Sequence, residues 1–258
     1  MYILIGDIGN THTKLCLIKK NNNQIKKIIH FNSAHILSDI KLKKIFNNFL
    51  KKKPLEHYSL FSSVVPNYEK HLKIFLKKKF NIILKEIKNK KINNIININV
   101  KNKKQVGSDR IANAVGAFKK YKSNCIVLDF GTATTFDVIT KNGVYNGGVI
   151  APGVNLSIKS LSNSADQIPM FSLKKQKKVV GKSTIEALHA GFYWGYVGLI
   201  NNVILKIESE TRKKYKVVFT GGYANLFKTS IIRPFNVDKN ITIIGIIEIF
   251  KHNRKILN

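Results

Sequence analysis

The chain has 258 residues, 44% of them hydrophobic, which allows one large domain or two small ones with a substantial core. No apolar run approaches the roughly 18 residues of a membrane span, and the strand pattern begins at Ile3 without a basic leader, so neither a membrane protein nor a secreted one is expected. The formal charge of +31 points first to nucleic acid, yet the Lys is scattered with Asn and Ile through loops and helix exteriors, so mutational bias is the better reading and no specific nucleic-acid partner is expected.

In chain order, Ile3-Leu4-Ile5 opens a strand that runs into Asp7-Ile8-Gly9-Asn10-Thr11-His12-Thr13-Lys14, and Leu15-Cys16-Leu17-Ile18 continues as a second strand. Asn21-Asn22-Asn23 reads as a turn and Ile25–Phe31 as a third strand. Leu42, Ile45, Phe46, Phe49 and Leu50 fall at helical spacing. Tyr58–Val65 predicts a strand stopped by Pro66, with Asn67 capping a helix that carries Leu72, Phe75 and Leu76. The Lys/Asn/Ile-rich stretch 86–105 contains one short predicted strand, Ile95–Val100. Gly107-Ser108-Asp109-Arg110 precedes an amphipathic helix with Ile111, Ala114, Val115 and Phe118 on one face. On residue chemistry alone that tetrapeptide reads first as a plain helix cap, with Ser or Asp as the capping residue.

Ile126-Val127-Leu128 leads into Asp129-Phe130-Gly131-Thr132-Ala133-Thr134-Thr135, followed by another strand, Phe136-Asp137-Val138-Ile139. Gly143, Gly147, Gly148, Pro152 and Gly153 then punctuate tight connections. Ser183-Thr184-Ile185-Glu186 is a capping box opening a long helix. Gly191, Gly195 and Gly198 thin that helix, for a subunit interface or for close packing inside the monomer, and Trp194 reads as core. Val217-Val218-Phe219 before Thr220-Gly221-Gly222 is a strand with a glycine turn, and Ile241–Ile244 reads as a last strand before a closing helix. Cys16 and Cys125 lie in apolar runs and read as reduced core thiols, which favours the cytoplasm.

Two stretches share one plan. At Asp7 and at Asp129, 122 residues apart, an apolar strand meets an Asp, a Gly two positions on, and a cluster of small hydroxyl residues. This predicts a duplicated hairpin. Gly9 and Gly131 permit turns that bring backbone N–H groups to a ligand, the Thr and Asn side chains add donors, and Lys14 adds a cation. Each Asp suits a metal ion whose counter-charge is phosphate, so two facing hairpins would clamp a triphosphate. Val180-Gly181-Lys182-Ser183 resembles the end of a P-loop, but Gln176 stands where that motif needs Gly. No H-x-x-x-H or C-x-x-C spacing supports zinc.

The stretches D-I-G-N-T-x-x-K, G-S-D-R, D-F-G-T-A-T-T, G-G-V-I-A-P-G, G-K-S-T and T-G-G, in that order along the chain, resemble the type III pantothenate kinases. That resemblance implies a place in the superfamily of sugar kinases, Hsp70 and actin: an α/β protein of two duplicated ribonuclease-H-like domains with mixed sheets and a nucleotide cleft between them. The halves are expected at 1–118 and 119–258. The implied reaction is ATP-dependent phosphorylation of pantothenate to 4'-phosphopantothenate, in coenzyme A biosynthesis, by a cytoplasmic homodimer.

The resemblance also implies residue roles. Asp7, Ile8, Gly9, Asn10, Thr11, His12, Thr13 and Lys14 would bind ATP from one half, with Asp7 near Mg2+. Gly131, Thr132 and Thr134 would bind it from the other, with Gly221 and Gly222 behind the adenosine. Asp109 would be the catalytic base, Gly107, Ser108 and Arg110 would frame pantothenate, and Asp129 would hold K+ or NH4+. Thr184 would reach pantothenate from the neighbouring subunit. One position departs from the pattern: where these kinases carry a pantothenate-contacting Tyr in Y-x-N-P, this chain has Val100, and Lys103 follows Asn102. Two other readings stay open on the sequence: a nucleotide-binding regulatory protein of the same fold, and a basic nucleic-acid-binding protein.

Overall fold

The computed structural model describes residues 1–51, 53–88, 95–228, 230–232 and 234–254. The chain divides into two units, Met1–Lys120 with Asn240–Asn258, and Tyr121–Lys239. Residues 240–254, assigned from the sequence to the second half, pack with the first.

In the first unit β1 (Tyr2–Ile8), β2 (His12–Lys19) and β3 (Ile25–Asn32) form an antiparallel meander. Helix α1 (Asp39–Leu50) leads to β4 (Leu55–Ser63), parallel to β1, and α2 (Pro66–Phe80) leads to β5 (Ile83–Glu86), parallel to β4. The strand order is β3-β2-β1-β4-β5. One face of the sheet packs Leu4, Ile8, Leu15, Leu17 and Phe61 against Phe46, Leu72 and Phe75 of the two helices. Ile3, Ile5, Cys16 and Leu60 are buried as well. A strand covered on both faces reads as a continuous apolar run, which is why Ile3-Leu4-Ile5 shows no alternation.

Three elements complete this unit: the short β6 (Asn97–Ile98), α3 (Ser108–Tyr121) and, from the chain's end, α7 (Ile241–His252). Helix α7 lies on β1 and β4, with Phe250 stacked on Tyr58 at 6.1 Å between ring centroids. Residues 241–244 are therefore its first turn and not a strand; an apolar run buried all round carries no period to tell the two apart. Gly116 and Gly245 make the α3–α7 crossing possible, because a Cβ on either would enter the other helix's backbone at Ile241 or Ala112. Residues 112–117 of α3 are all buried, while Ile111 and Phe118 of the expected apolar face are only partly so.

Two local expectations also change. The cap of α2 is Val65, without a side-chain bond, and Pro66 takes the first helical position, so Asn67 lies inside the helix. The predicted strand Ile95–Val100 shrinks to β6. The Lys/Asn run at 89–94 lies outside the described residues.

The second unit repeats the plan. Strands β7 (Cys125–Phe130), β8 (Ala133–Ile139) and β9 (Val144–Pro152) are antiparallel. Helices α4 (Val154–Ser164) and α5 (Thr184–Thr211) follow, then β10 (Lys216–Gly221), parallel to β7, the single turn α6 (Ala224–Phe227), and β11 (Phe235–Val237), parallel to β10. These strands adjoin as β11-β10-β7-β8-β9, the first unit's order over again, so both mixed sheets carry the expected ribonuclease-H-like arrangement. Phe130, Phe219, Phe227, Tyr193 and Tyr196 centre its core. Trp194 sits at the rim, its indole N–H donating to Lys178 O at 3.1 Å. Among the described residues no helix is long and apolar enough to cross a membrane.

Candidate active site

The first hairpin turns through Gly9-Asn10-Thr11. Asp7 pairs with Lys14 and Ile8 with Thr13, and the Gly9 N–H donates to His12 O at 3.2 Å. Gly9 does not have a positive φ. It is needed for room, since a Cβ there would come within 2.9 Å of His12 O. Ser33, in the 3-10 turn after β3, braces the loop from behind. Its hydroxyl donates to Gly9 O at 2.7 Å and meets Thr13 Oγ1 at 2.8 Å, and its N–H donates to Thr11 O at 2.9 Å. The Ile8 and Thr13 side chains are buried, so these residues offer a ligand only their backbone, while Asn10, Thr11 and His12 are exposed at the tip.

Register lines four polar residues across the sheet: His30 on β3, Lys14 on β2, Asp7 on β1 and Ser62 on β4. The Ser62 hydroxyl is buried with no hydrogen-bond partner among the described residues. A carboxylate beside an unpartnered hydroxyl is a hard-oxygen pair of the kind Mg2+ accepts. Burial first, and then the charges of Lys14 and His12, hold the His30 imidazole below its ordinary range.

The G-S-D-R segment docks on the end of β4, one strand away from Asp7. Ser63, opposite Ile8, donates its N–H to Ser108 Oγ at 3.0 Å, and Ser108 Oγ donates back to Ser63 O at 2.5 Å. Two motifs a hundred residues apart in sequence thus meet at one sheet end. The Asp109 carboxylate accepts from the Arg110 N–H at 2.7 Å, and both residues are partly exposed at the first turn of α3. Val100 is half-buried in the approach to that turn.

In the second unit Asp129 lies between Thr135 on β8 and Thr220 on β10. The hydroxyls of Thr220 and Thr134 are buried and have no partner among the described residues. One carboxylate with neutral oxygens suits a monovalent cation, and no cluster of three acidic, His or Cys residues exists among the described residues. Gly221 has φ +84, and a Cβ on it would lie 2.6 Å from Phe130 N and O and 2.7 Å from Asp129 Oδ1. Gly222 donates its N–H to Phe130 O at 3.0 Å. Gly131 is less constrained, with the nearest atom 3.5 Å from a Cβ and no positive φ. Thr132 is exposed at the tip, beneath Gly153 at the start of α4, where a Cβ would approach Gly131 O to 2.6 Å and collide with Thr132 O. Sequence reading assigned Ser33, Ser62, Thr220 and Gly153 no role at the site, because each acts through a neighbour in space; for Gly153 the G-x-x-x-x-P-G run was the available signal.

Thr184 begins α5 and is exposed. Ser183 Oγ accepts from the Glu186 N–H, while Glu186 accepts from the Lys182 N–H, one residue earlier than a strict capping box. Gly181 is wedged against Ala187 of α5, so the P-loop-like residues here serve a helix start. Thr184 lines an apolar groove of about 610 Å³ with Pro152, Leu188, Phe192 and Leu199.

Two sheets of the same order, each with an Asp-x-Gly hairpin at the same strand ends, define a protein of the sugar kinase/Hsp70/actin class. A solved structure agrees: the ethanolamine utilization protein EutJ of Carboxydothermus hydrogenoformans superposes with a TM-score of 0.58 at 13% identity, over 96% of this chain and 89% of that one. The family model for type III pantothenate kinase matches residues 3–206. The chain is 47% identical over 245 residues to the type III pantothenate kinase of Pelagibacter ubique, covering 95% of this chain and 97% of the relative. It is 36% identical over 199 residues to that of a Ruegeria species, covering 77% and 76%. The chain belongs to the type III pantothenate kinase family.

Proposed function

We propose that this protein transfers the γ-phosphoryl group of ATP to the terminal hydroxyl of pantothenate, giving 4'-phosphopantothenate for coenzyme A biosynthesis. The observation that carries the reading is the family match over nearly the whole chain with Asp7, Lys14, Asp109 and Asp129 all in place. Phosphoryl transfer through a loose transition state asks the protein for positioning and charge neutralisation more than for covalent help. The pantothenate hydroxyl oxygen bonds to the γ-phosphorus, the bond from that phosphorus to the β–γ bridging oxygen breaks, and ADP leaves with the electron pair. Asp109 takes the hydroxyl proton, and an ordinary carboxylate suffices because that proton leaves late.

Gly9, Asn10, Thr11 and Lys14 hold phosphate oxygens from the first unit, and Gly131, Thr132 and Thr134 hold them from the second. Gly221 and Gly222 back the adenosine. Gly107, Ser108 and Arg110 frame pantothenate, with the Arg110 guanidinium suited to its carboxylate. Asp7 with Ser62 is the place for Mg2+, and Asp129 with Thr220 is the place for K+ or NH4+. Both ions supply positive charge against the phosphates. A cytoplasmic location fits the two free, buried cysteines.

The active form is read as a homodimer joined along α5. Gly191, Gly195 and Gly198 have nothing within 4 Å of a notional Cβ, so the glycines are not explained by packing inside the monomer. The groove beside them is apolar, and Ile150 and Leu156 of the same unit are exposed. A second copy laid on this face would bury it and bring Thr184 to its partner's pantothenate. ADP release by the purified protein, measured with ATP and with or without pantothenate, tests the function: release that does not depend on pantothenate removes the kinase reading.

A further inference from the structure

Glu86 and Lys88 belong to no motif in the sequence. Glu86 ends β5, and the Ile87 N–H donates to Phe61 O at 2.9 Å, which holds this stretch against β4. From there two side chains reach the segment entering α3. Lys88 Nζ donates to the carbonyls of Lys104 and Val106, each at 2.9 Å. The Glu86 carboxyl has the Ser108 hydroxyl as its side-chain neighbour. Residues 104 and 106 are thus gripped by Lys88, and Ser108 abuts the Glu86 carboxyl, immediately before Asp109.

We propose that Glu86 and Lys88 form a two-pronged anchor that positions the 104–108 segment, and through it Ser108, Asp109 and Arg110, for the acceptor substrate. This rests on the kinase reading above. Both are positioning residues: they touch the segment and not the reacting atoms.

The hydrogen bonds around Ser108 define the state in which the anchor is complete. Glu86 Oε2 accepts from the Lys88 N–H at 2.6 Å, while Oε1 is buried with no partner among the described residues. Ser108 has one proton, already directed to Ser63 O, and its oxygen already accepts from the Ser63 N–H. An ionised Glu86 therefore leaves a buried oxygen unsatisfied or draws the Ser108 proton away from Ser63. A protonated Glu86 donates to the remaining lone pair of Ser108 and preserves both Ser63 bonds. Burial above all, and then the charge of Glu69 on α2, push the carboxyl up to about 7 against the Lys88 N–H, the Ser108 hydroxyl and the Lys88 ammonium. Glu69 is itself paired with Lys73, and Asp109 and Arg110 are the charged residues that follow Ser108 on α3. The folded carboxyl holds its proton above the range where the unfolded one releases it. The stability it contributes is accordingly present at low pH, falls as pH rises toward about 7, and is gone above that value.

The test is steady-state kinetics from about pH 6 to 8.5 on the wild type, Glu86→Gln, Glu86→Ala and Lys88→Met, varying pantothenate and ATP separately. Wild-type KM for pantothenate should climb above neutrality. Glu86→Gln, a permanently neutral donor of the same size, should keep it low throughout. Glu86→Ala and Lys88→Met should raise it about tenfold at pH 6.5, as loss of one or two hydrogen bonds allows, with the ATP KM within about twofold of wild type. A Glu86→Gln profile that tracks the wild type, or equal shifts in both KM values, overturns the anchor. If Glu86→Ala does not fold, the Glu86→Gln profile still decides. An active wild type with unaltered variants defeats this inference alone, whereas a wild type with no pantothenate-dependent ADP release defeats the kinase reading beneath it.

Discussion

The two hairpins share strand order, register and an Asp at the same strand end, but they are stiffened by different means. The first loop is held by side-chain hydrogen bonds from Ser33 to Gly9 and Thr13. The second is held by backbone packing, with Gly153 over Thr132 and Gly221 under Phe130 and Asp129. Hydrogen bonds can lengthen a little and persist, whereas close-packed backbones tolerate no added atom. The copies also differ in their surroundings, since the segment that carries Asp109 docks beside the first hairpin's strands while Asp129 lies between Thr135 and Thr220 in the second.

The sharpest break of this comparison is at the catalytic side. Asp109→Asn should lower kcat by roughly 10²–10⁴-fold while leaving ATP binding nearly intact, because it removes the proposed base and little volume. A variant that keeps more than about a tenth of wild-type kcat would take Asp109 out of that role.

Next come the glycines. Gly221→Ala should destabilise the protein by about 2–4 kcal/mol, from overpacking against Phe130 together with a side chain at φ +84. Gly131→Ala should cost less than about 1 kcal/mol, since its notional Cβ meets only ordinary contacts. Thermal unfolding of the pair, compared with wild type, checks the difference. Equal losses would mean that the second loop is not held by packing.

At Asp129 the expected effect is on ion response. Activity should need K+ or NH4+, with Na+ a poor substitute, and Asp129→Asn should raise the K+ concentration for half-activation by about tenfold or more, the value of a charge-assisted contact. Rates that are the same in Na+-only and K+ buffers would leave Asp129 without its cation. On the α5 face, Gly195→Arg should turn the proposed dimer into a monomer by light scattering. It should weaken pantothenate binding more than ATP binding, because Thr184 would no longer reach its partner; a dimeric variant would move the interface elsewhere.

The smallest effect concerns the departure at Val100. Val in place of a ring removes one neutral hydrogen bond, worth about 0.5–1.5 kcal/mol, so Val100→Tyr should lower the pantothenate KM by at most roughly tenfold with kcat barely changed. An unchanged KM would show that another side chain fills that place.

Local chemistry made much of this protein legible in its sequence. The hairpins at Asp7 and Asp129 were readable because an apolar strand, an Asp, a Gly and a hydroxyl cluster are all set by near neighbours, and the helix at 108 was readable from its periodicity. What the tertiary structure decided is what depends on burial from two sides or on partners far along the chain. The run at Ile241 has no period because it is covered all round, so only packing on β1, β4 and α3 makes it a helix of the first unit. Ser33, Thr220 and Gly153 look like ordinary turn and strand residues until sheet register and helix placement set them against Gly9, Asp129 and Thr132. Glu86 gives no sequence signal either, since the upward push on its carboxyl comes from lost solvent and then from the charge of Glu69 on α2, and both are properties of the folded chain.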